Sequence, residues 1–396
     1  MLRNLLIIIL FPLALSFVKV QKQQYLIELV KAAKSNNKAL IEQYWGILLQ
    51  KGQPVVWDDS VAFVYRGEAK SVIWNGDFNS WGKSKAFQNK GTRLGKSDIW
   101  ILKAKFPADA RLDYKIVVDG KWIVDPHNEH QQWSGVSNGE PNSELRMKNW
   151  NPSPWTKNTA TKKGQLTNSI TLQSNSLGYP VNVQYYTPNG YEKLQNLPSV
   201  YVTDGQEYSD HKLGAMIEIL DNLIEQQKIE PIIAVFIDPR DVKNNSVNRR
   251  AEELTLNPKF ASFITDELVP FTDSSYKTST ENNDRAILGT SLGGLNATYL
   301  GVVAPNIFGK VAIQSPAYWY KQEIMNLVAN SEGFPNKVSI TTGVINDTSE
   351  EARKMKRLIE EKPQTQLQYI EVNEGHSWGN WRALIDDQLI FLFPLK

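Results

Sequence analysis

The sequence predicts an α/β protein in two parts: an all-β sandwich, then a domain with a mostly parallel sheet covered by helices on both faces. Three observations predict it. From Val55 to about Met147 apolar residues recur with period two, and turn signals at Asn75-Gly76-Asp77, Gly95-Lys-Ser-Asp98 and Asp119-Gly120 separate the runs. From Gly164 onward short apolar runs alternate with helical patterns, as in a sheet built from strand–helix–strand units. Between the two, Asn149 to Lys163 is rich in Asn, Pro, Thr and Lys and reads as a linker.

The chain starts with what reads as an export signal over residues 1–18. Arg3 supplies a short positive region, Leu5 to Leu15 is almost wholly apolar, and Ala14-Leu15-Ser16 offers small residues for cleavage. The apolar run is short for a membrane span, so a secreted or periplasmic protein with no stable membrane insertion after signal cleavage is expected. Residues 19–52 form a helical lead-in, where Leu26, Leu29 and Val30, then Leu40, Ile41, Tyr44 and Trp45, keep helical spacing. Residues 53–148 carry the sandwich, with strands expected at Ser60–Tyr65, Ser71–Trp74, Ile99–Phe106 and Leu112–Val118. Residues 149–163 are the linker and 164–396 the α/β domain.

Composition narrows the chemistry. A net charge of +2 over 396 residues gives no reason to expect a nucleic-acid partner. There is no cysteine, which excludes disulfides, thiolate metal sites and a cysteine nucleophile. Four histidines leave little material for a metal site, and no metal or cofactor is expected; His127 and His130, three apart in a polar loop, have no evident third ligand. The aromatic load is high, with 12 Trp, 15 Tyr and 14 Phe. Aromatic faces fill cores and also stack on flat ligands. In the sandwich, Trp74, Trp81, Trp122 and Trp133 are candidates for either role.

The chemistry concentrates in Arg285 to Tyr299, where Gly289-Thr-Ser291-Leu-Gly293 fits G-x-S-x-G. A buried-strand run (Ala286 to Leu288) leads in and a helical pattern (Leu295, Ala297, Leu300) leads out. That is the frame of a nucleophile elbow, whose sharp turn pushes a serine Oγ out of the sheet in an α/β-hydrolase domain. A serine hydroxyl needs a base and an orienter to attack. In this chain order the acid and then the histidine follow the serine. Only His376 follows Ser291, in a loop between the last strand and the last helix. Asp347, after the strand that ends near Thr342, is the candidate acid, with Glu350 and Glu351 as rivals. Backbone N–H groups of Leu292 and of Gly205 or Gln206 are the candidate oxyanion donors.

Two resemblances add to this reading. Trp74-Asn-Gly-Asp-Phe-Asn-Ser-Trp81, Tyr114 to Trp122, Asp125-Pro-His-Asn128 and Asn142-Ser143 resemble the immunoglobulin-like modules that precede catalytic domains in glycogen-branching-type enzymes and in enterochelin esterase relatives. Tyr201-Val-Thr-Asp-Gly205, Arg250-Ala-Glu-Glu253-Leu254, Glu267-Leu-Val-Pro270, Arg285 to Gly294, Gln314-Ser-Pro-Ala-Tyr-Trp319 and Gly375-His-Ser-Trp378 with Trp381-Arg382 resemble the esterase family that contains enterochelin esterases, feruloyl esterases and esterase D. The resemblance implies a serine esterase of the enterochelin-esterase-like branch, acting on a small-molecule or polysaccharide-linked ester. It also implies substrate-binding roles for Arg250, Trp319 and Trp378, with a salt bridge to Glu253 as the structural alternative for Arg250. Feruloyl or acetyl-xylan ester hydrolysis, acyl transfer on the same machinery, and a catalytically silent carbohydrate-binding protein are the competing readings.

Overall fold

The structure, a computed structural model, describes residues 22–135 and 140–395. The expected export signal lies outside the described residues. Helices Lys22–Lys34 and Lys38–Gln50 open the described chain, the second capped by the Asn37 side chain, which accepts from the Leu40 N–H.

Nine strands follow: β1 (Val55–Trp57), β2 (Ser60–Arg66), β3 (Val72–Gly76), β4 (Thr92–Arg93), β5 (Ile99–Lys105), β6 (Arg111–Val118), β7 (Lys121–Ile123), β8 (Gln131–Trp133) and β9 (Pro141–Arg146). They form two antiparallel sheets, one ordered β1-β2-β5-β4 and the other β3-β6-β9-β8 with β7 beside β6. Phe63, Trp74, Trp100 and Tyr114 belong to the core the two sheets share. Alternation along β2 sends Val61 and Phe63 into that core and Ala62 and Val64 to the opposite face. There the two opening helices cover them with Leu29, Ala33, Trp45 and Leu48, so β2 is apolar on both faces. Of the four tryptophans singled out as core or stacking candidates, Trp74 is fully buried. Lys212 lies over the Trp133 ring, and Trp81 stacks on Trp122, which is exposed.

The remaining nine strands are β10 (Gln165–Leu166), β11 (Ile170–Gln173), β12 (Pro180–Thr187), β13 (Ser199–Val202), β14 (Ile233–Asp238), β15 (Arg285–Thr290), β16 (Lys310–Gln314), β17 (Lys337–Gly343) and β18 (Gln366–Val372). They make one sheet, ordered β10-β12-β14-β13-β15-β16-β17-β18 with β11 beside β12. The pairings of β10, β11 and β12 are antiparallel, and every pairing among β13 to β18 is parallel. Strands β13, β15 and β16 are buried along their whole length because helices cover both faces, which is why they read as continuous apolar runs. The helix Leu292–Val303 packs on one face, and the last helix, Trp378–Leu392, packs on the other. The carboxyl ends of β13, β15, β17 and β18 point to one edge of the sheet, where ligand sites of such sheets lie.

The segment expected as a linker is hydrogen-bonded to the α/β domain. Asn222 Nδ2 donates to the carbonyls of Trp155 and Lys157 at 2.7 and 2.6 Å, and the Glu225 carboxylate accepts the N–H groups of Thr161 and Lys162.

Candidate active site

Ser291 occupies a turn between β15 and the helix Leu292–Val303, with φ 58° and ψ −115°. A non-glycine residue rarely adopts this conformation, and here neighbouring contacts impose it. The Ser291 N–H donates to Gln314 O and its carbonyl accepts from the Ala317 N–H, each at 2.9 Å. The crossing of strand and helix admits no side chain at two positions. A Cβ on Gly289 would lie 2.4 Å from the Gly293 carbonyl, and one on Gly293 would lie 2.5 Å from Thr203 Oγ1.

His376 sits in the loop after β18, with Nε2 3.0 Å from Ser291 Oγ and Nδ1 2.7 Å from Asp347 Oδ1. Trp381 meets the imidazole edge-on, with ring centroids 4.9 Å apart. Asp347 lies just past β17 with its side chain fully buried. Its second oxygen, Oδ2, accepts the Gly343 N–H at 2.7 Å and the Ser315 hydroxyl at 2.6 Å. Of the rival acids, Glu350 is exposed on the helix Ser349–Glu360. Ser315 and Trp381, which contact Asp347 and the His376 imidazole, lie inside the esterase-like motifs but carry no signal of their own.

Leu292 begins its helix, so its N–H has no acceptor in a preceding turn. Gly205 and Gln206 likewise begin a single turn, Gly205–Tyr208, at the end of β13. Asp204 before them has φ 53°. A Cβ on Gly205 would lie 2.4 Å from the backbone of Phe236 and Ile237, so only glycine lets this turn sit against β14.

Arg250 forms a two-pronged pair with Asp204, Nε to Oδ1 and Nη2 to Oδ2, both at 2.9 Å. The salt bridge to Glu253, the structural alternative to a substrate contact, is thus not formed, and Asp204 takes that place. Glu253 is buried and accepts from the Tyr179 hydroxyl at 3.0 Å. Burial pushes its carboxyl up to about 8. Trp319 is 60 % exposed and packs edge-on against exposed Tyr320, two residues beyond the Ala317 that holds Ser291. Trp378 departs from the expected substrate-facing position. It is 2 % exposed, wedged against Tyr208 and Trp381, with Nε1 donating to Glu207 at 2.8 Å. An indole beginning a helix over the apolar face of a sheet loses less by burial than by exposure, provided its N–H finds an acceptor. Burial, reinforced by nearby Asp204, pushes Glu207 up to about 7.

The β-sandwich reaches this edge. The Asn346 side chain, beside Asp347, donates to the Asp77 carbonyl at 2.8 Å. Arg111 Nη1 donates to Ser377 Oγ at 3.0 Å and lies 3.6 Å from Glu374. Among the described residues no group of three or more acidic or histidine side chains is placed to hold a metal ion.

A family model described as "Putative esterase" matches residues 174–392. Among relatives, an endo-1,4-β-xylanase/feruloyl esterase of Xylanibacter ruminicola is 26% identical over 243 residues, which is 59% of this chain and 32% of that protein. The iron(III) enterobactin esterase of Escherichia coli K12 is 33% identical over 102 residues, 26% of this chain and 24% of that protein. The chain thus spans less than a third of either relative's own length. A crystal structure of the ferric enterobactin esterase of Salmonella typhimurium superposes with a TM-score of 0.74 at 20% identity, covering 89% of this chain and 98% of that one. That likeness is one of fold. With more than half of its length matched by the family model, the chain belongs to this esterase family and is a carboxylic ester hydrolase.

Proposed function

We propose that the chain is a secreted or periplasmic serine esterase of the enterochelin-esterase type, with Ser291 as nucleophile, His376 as base and Asp347 as the acid that orients it. One observation carries this reading: the unbroken line of contacts from Asp347 Oδ1 through the two nitrogens of His376 to Ser291 Oγ, at 2.7 and 3.0 Å. In the proposed mechanism His376 Nε2 takes the Ser291 proton as Oγ attacks the ester carbonyl carbon. The oxyanion that forms accepts from the Leu292 N–H and from the N–H of Gly205 or Gln206. His376 then returns the proton to the departing alcohol and an acyl-serine remains. Water, deprotonated by the same imidazole, releases the acid. Buried Asp347 holds the Nδ1–H tautomer and stabilises the imidazolium.

For the substrate we propose an ester of an aromatic acid, either small or attached to a polysaccharide. The exposed Trp319–Tyr320 pair, two residues beyond the Ala317 whose N–H bonds the Ser291 carbonyl, supports a flat acyl group. The relatives point the same way, one an enterobactin esterase and one a feruloyl esterase by name. Arg250 spends one edge of its guanidinium on Asp204, so its proposed contribution is to hold the turn that carries Gly205 and Gln206. The two packed antiparallel sheets of residues 55–146 support an immunoglobulin-like module. The secreted location rests on residues 1–18. Among the described residues no helix is long and apolar enough to cross a membrane.

The test is labelling by a fluorophosphonate probe, with turnover of p-nitrophenyl, feruloyl, acetyl-xylan and catecholate-siderophore esters. Ser291→Ala is expected to lose both labelling and turnover, by about 10⁶ in kcat where the whole triad acts as a unit. Labelling that persists in Ser291→Ala refutes the nucleophile.

A further inference from the structure

We propose that Arg111, supplied by the N-terminal sheets, is a positioning residue for ester hydrolysis: it sets the loop that carries His376 by holding Glu374 and Ser377, the residues two before and one after the imidazole. The inference rests on His376 being the base.

Arg111 is 1 % exposed and makes a different contact with each nitrogen of its guanidinium. Nε donates to Glu144 at 3.0 Å and Nη2 to Asp113 at 2.5 Å, both on its own sheet. Nη1 crosses to the α/β domain, donating to Ser377 Oγ at 3.0 Å and lying 3.6 Å from Glu374 Oε2. The Arg111 N–H also donates to Asn373 O at 3.2 Å. Trp150 Nε1 donates to the other Glu374 oxygen at 3.0 Å. The loop is shaped to this visitor. A Cβ on Gly379 would lie 1.9 Å from the Arg111 guanidinium carbon, and one on Gly375 would lie 2.3 Å from the Asp77 carboxyl carbon. Only glycine at these positions lets the loop and the first turn of the helix Trp378–Leu392 approach so closely.

Two further details separate positioning from plain packing. Ser377 occupies the N-cap of the last helix, yet its hydroxyl makes no cap bond and turns to Arg111 instead. Its removal therefore costs no cap. The contacts also converge on the two reactive loops together, since Asn346, next to Asp347, donates to the carbonyl of Asp77 in the same sheet region. A buried cation among the carboxyls of Asp113, Glu144 and Glu374 gives weak net stability, because desolvation offsets its attraction. Its fixed fork does define a geometry. The distance it governs is the 3.0 Å from His376 to Ser291, and a shift of about 1 Å in such a distance costs about a hundredfold in rate.

The experiment measures kcat, KM and melting temperature of the full chain on p-nitrophenyl acetate and on a large aryl ester, in Ser377→Ala, Ser377→Thr, Arg111→Lys and His376→Ala. Ser377→Ala is expected to lower kcat about ten- to a hundredfold on both esters with KM unchanged and melting within a few degrees. Ser377→Thr, which keeps the hydroxyl, restores most of it. Arg111→Lys falls further, and if it does not fold, the Ser377 pair still decides. Turnover surviving His376→Ala overturns this inference together with the proposed base. Loss in His376→Ala with unchanged kcat in Ser377→Ala overturns this inference alone. So does a rise in KM at constant kcat, or a loss confined to the large ester, either of which gives the sheets a substrate-binding role instead.

Discussion

Replacing Asp347 by Asn changes one atom and, in this environment, is expected to invert the tautomer of His376, the proposed base. Asp347 Oδ2 receives the Gly343 backbone N–H at 2.7 Å and the Ser315 hydroxyl at 2.6 Å. A backbone N–H can only donate. The asparagine must therefore turn its carbonyl oxygen to Gly343, which leaves its NH₂ facing His376 Nδ1, 2.7 Å from the replaced atom. Nδ1 then has to accept, so the ring proton moves to Nε2. An Nε2–H cannot take the proton of Ser291 Oγ, 3.0 Å away. The loss expected from holding the wrong tautomer is about 10⁴ in kcat, roughly 5 kcal/mol of activation free energy. Melting should change little, because the Gly343 N–H keeps its acceptor. The assay is steady-state turnover of p-nitrophenyl acetate together with the rate of fluorophosphonate labelling, with Glu350→Gln as control. Glu350 is exposed, and its variant should match the parent protein. Asp347→Asn retaining more than about a tenth of kcat, or a larger loss in Glu350→Gln, would refute the reasoning.

Two other variants probe neighbouring groups. Arg250→Ala should lower kcat on every ester by a similar factor, about ten- to a hundredfold, because the buried carboxylate of Asp204 loses a charged partner beside the Gly205 turn. A loss confined to catechol-bearing or anionic esters would place Arg250 against substrate instead. Glu253 carries its proton to about pH 8, against an ordinary value of 4.5, so the folded state binds a proton there that the unfolded chain releases. Its contribution is fully present below about pH 4.5 and is lost as pH rises through 8. Glu253→Gln, followed by denaturant melts between pH 5 and 8, should flatten the fall of stability with pH by up to about 1.4 kcal/mol per unit. An unchanged slope would mean that Glu253 is ionised in the fold.

The proposed reactive residues are legible in the sequence because their signals are local. Gly289, Ser291 and Gly293 act within one turn, where a side chain at either glycine collides with Gly293 itself or with Thr203. His376 was reachable by chain order alone, since no other histidine follows Ser291. The strands β2, β3, β5 and β6 follow their period-two runs, and β13, β15 and β16 follow the continuous apolar runs of a sheet covered twice. Short strands such as β4 and β8 leave no signal, being two or three residues long with no room for a period. The buried setting of Trp378 is not legible, because a motif position says nothing about which way an indole points. The partner of Arg250 is not legible in the sequence, because Asp204 is brought close only by the turn after β13.

The pairing least visible in the sequence joins Arg111 to Ser377, 266 residues apart. No periodicity or spacing reports such a contact, because each partner reads alone as an ordinary surface residue of its own element. The Asn-Pro-rich stretch before Gly164 then suggests two independent units. The structure gives that stretch a different character: Asn222 and Glu225 fasten it to the α/β domain, and Trp150 at its start bonds Glu374. Cutting there would remove at one stroke Arg111 from Ser377, the Asp77 carbonyl from Asn346 and the indole from Glu374. Each contact ends on a residue within two positions of His376 or Asp347. An α/β-hydrolase sheet aligns its reactive loops at one edge but does not by itself fix their tips, which are irregular and lack a backbone ladder. In this chain the tips are tied from outside by a second pair of sheets. That arrangement accounts for why a fully buried arginine, costly to desolvate, is found at the boundary between the two parts.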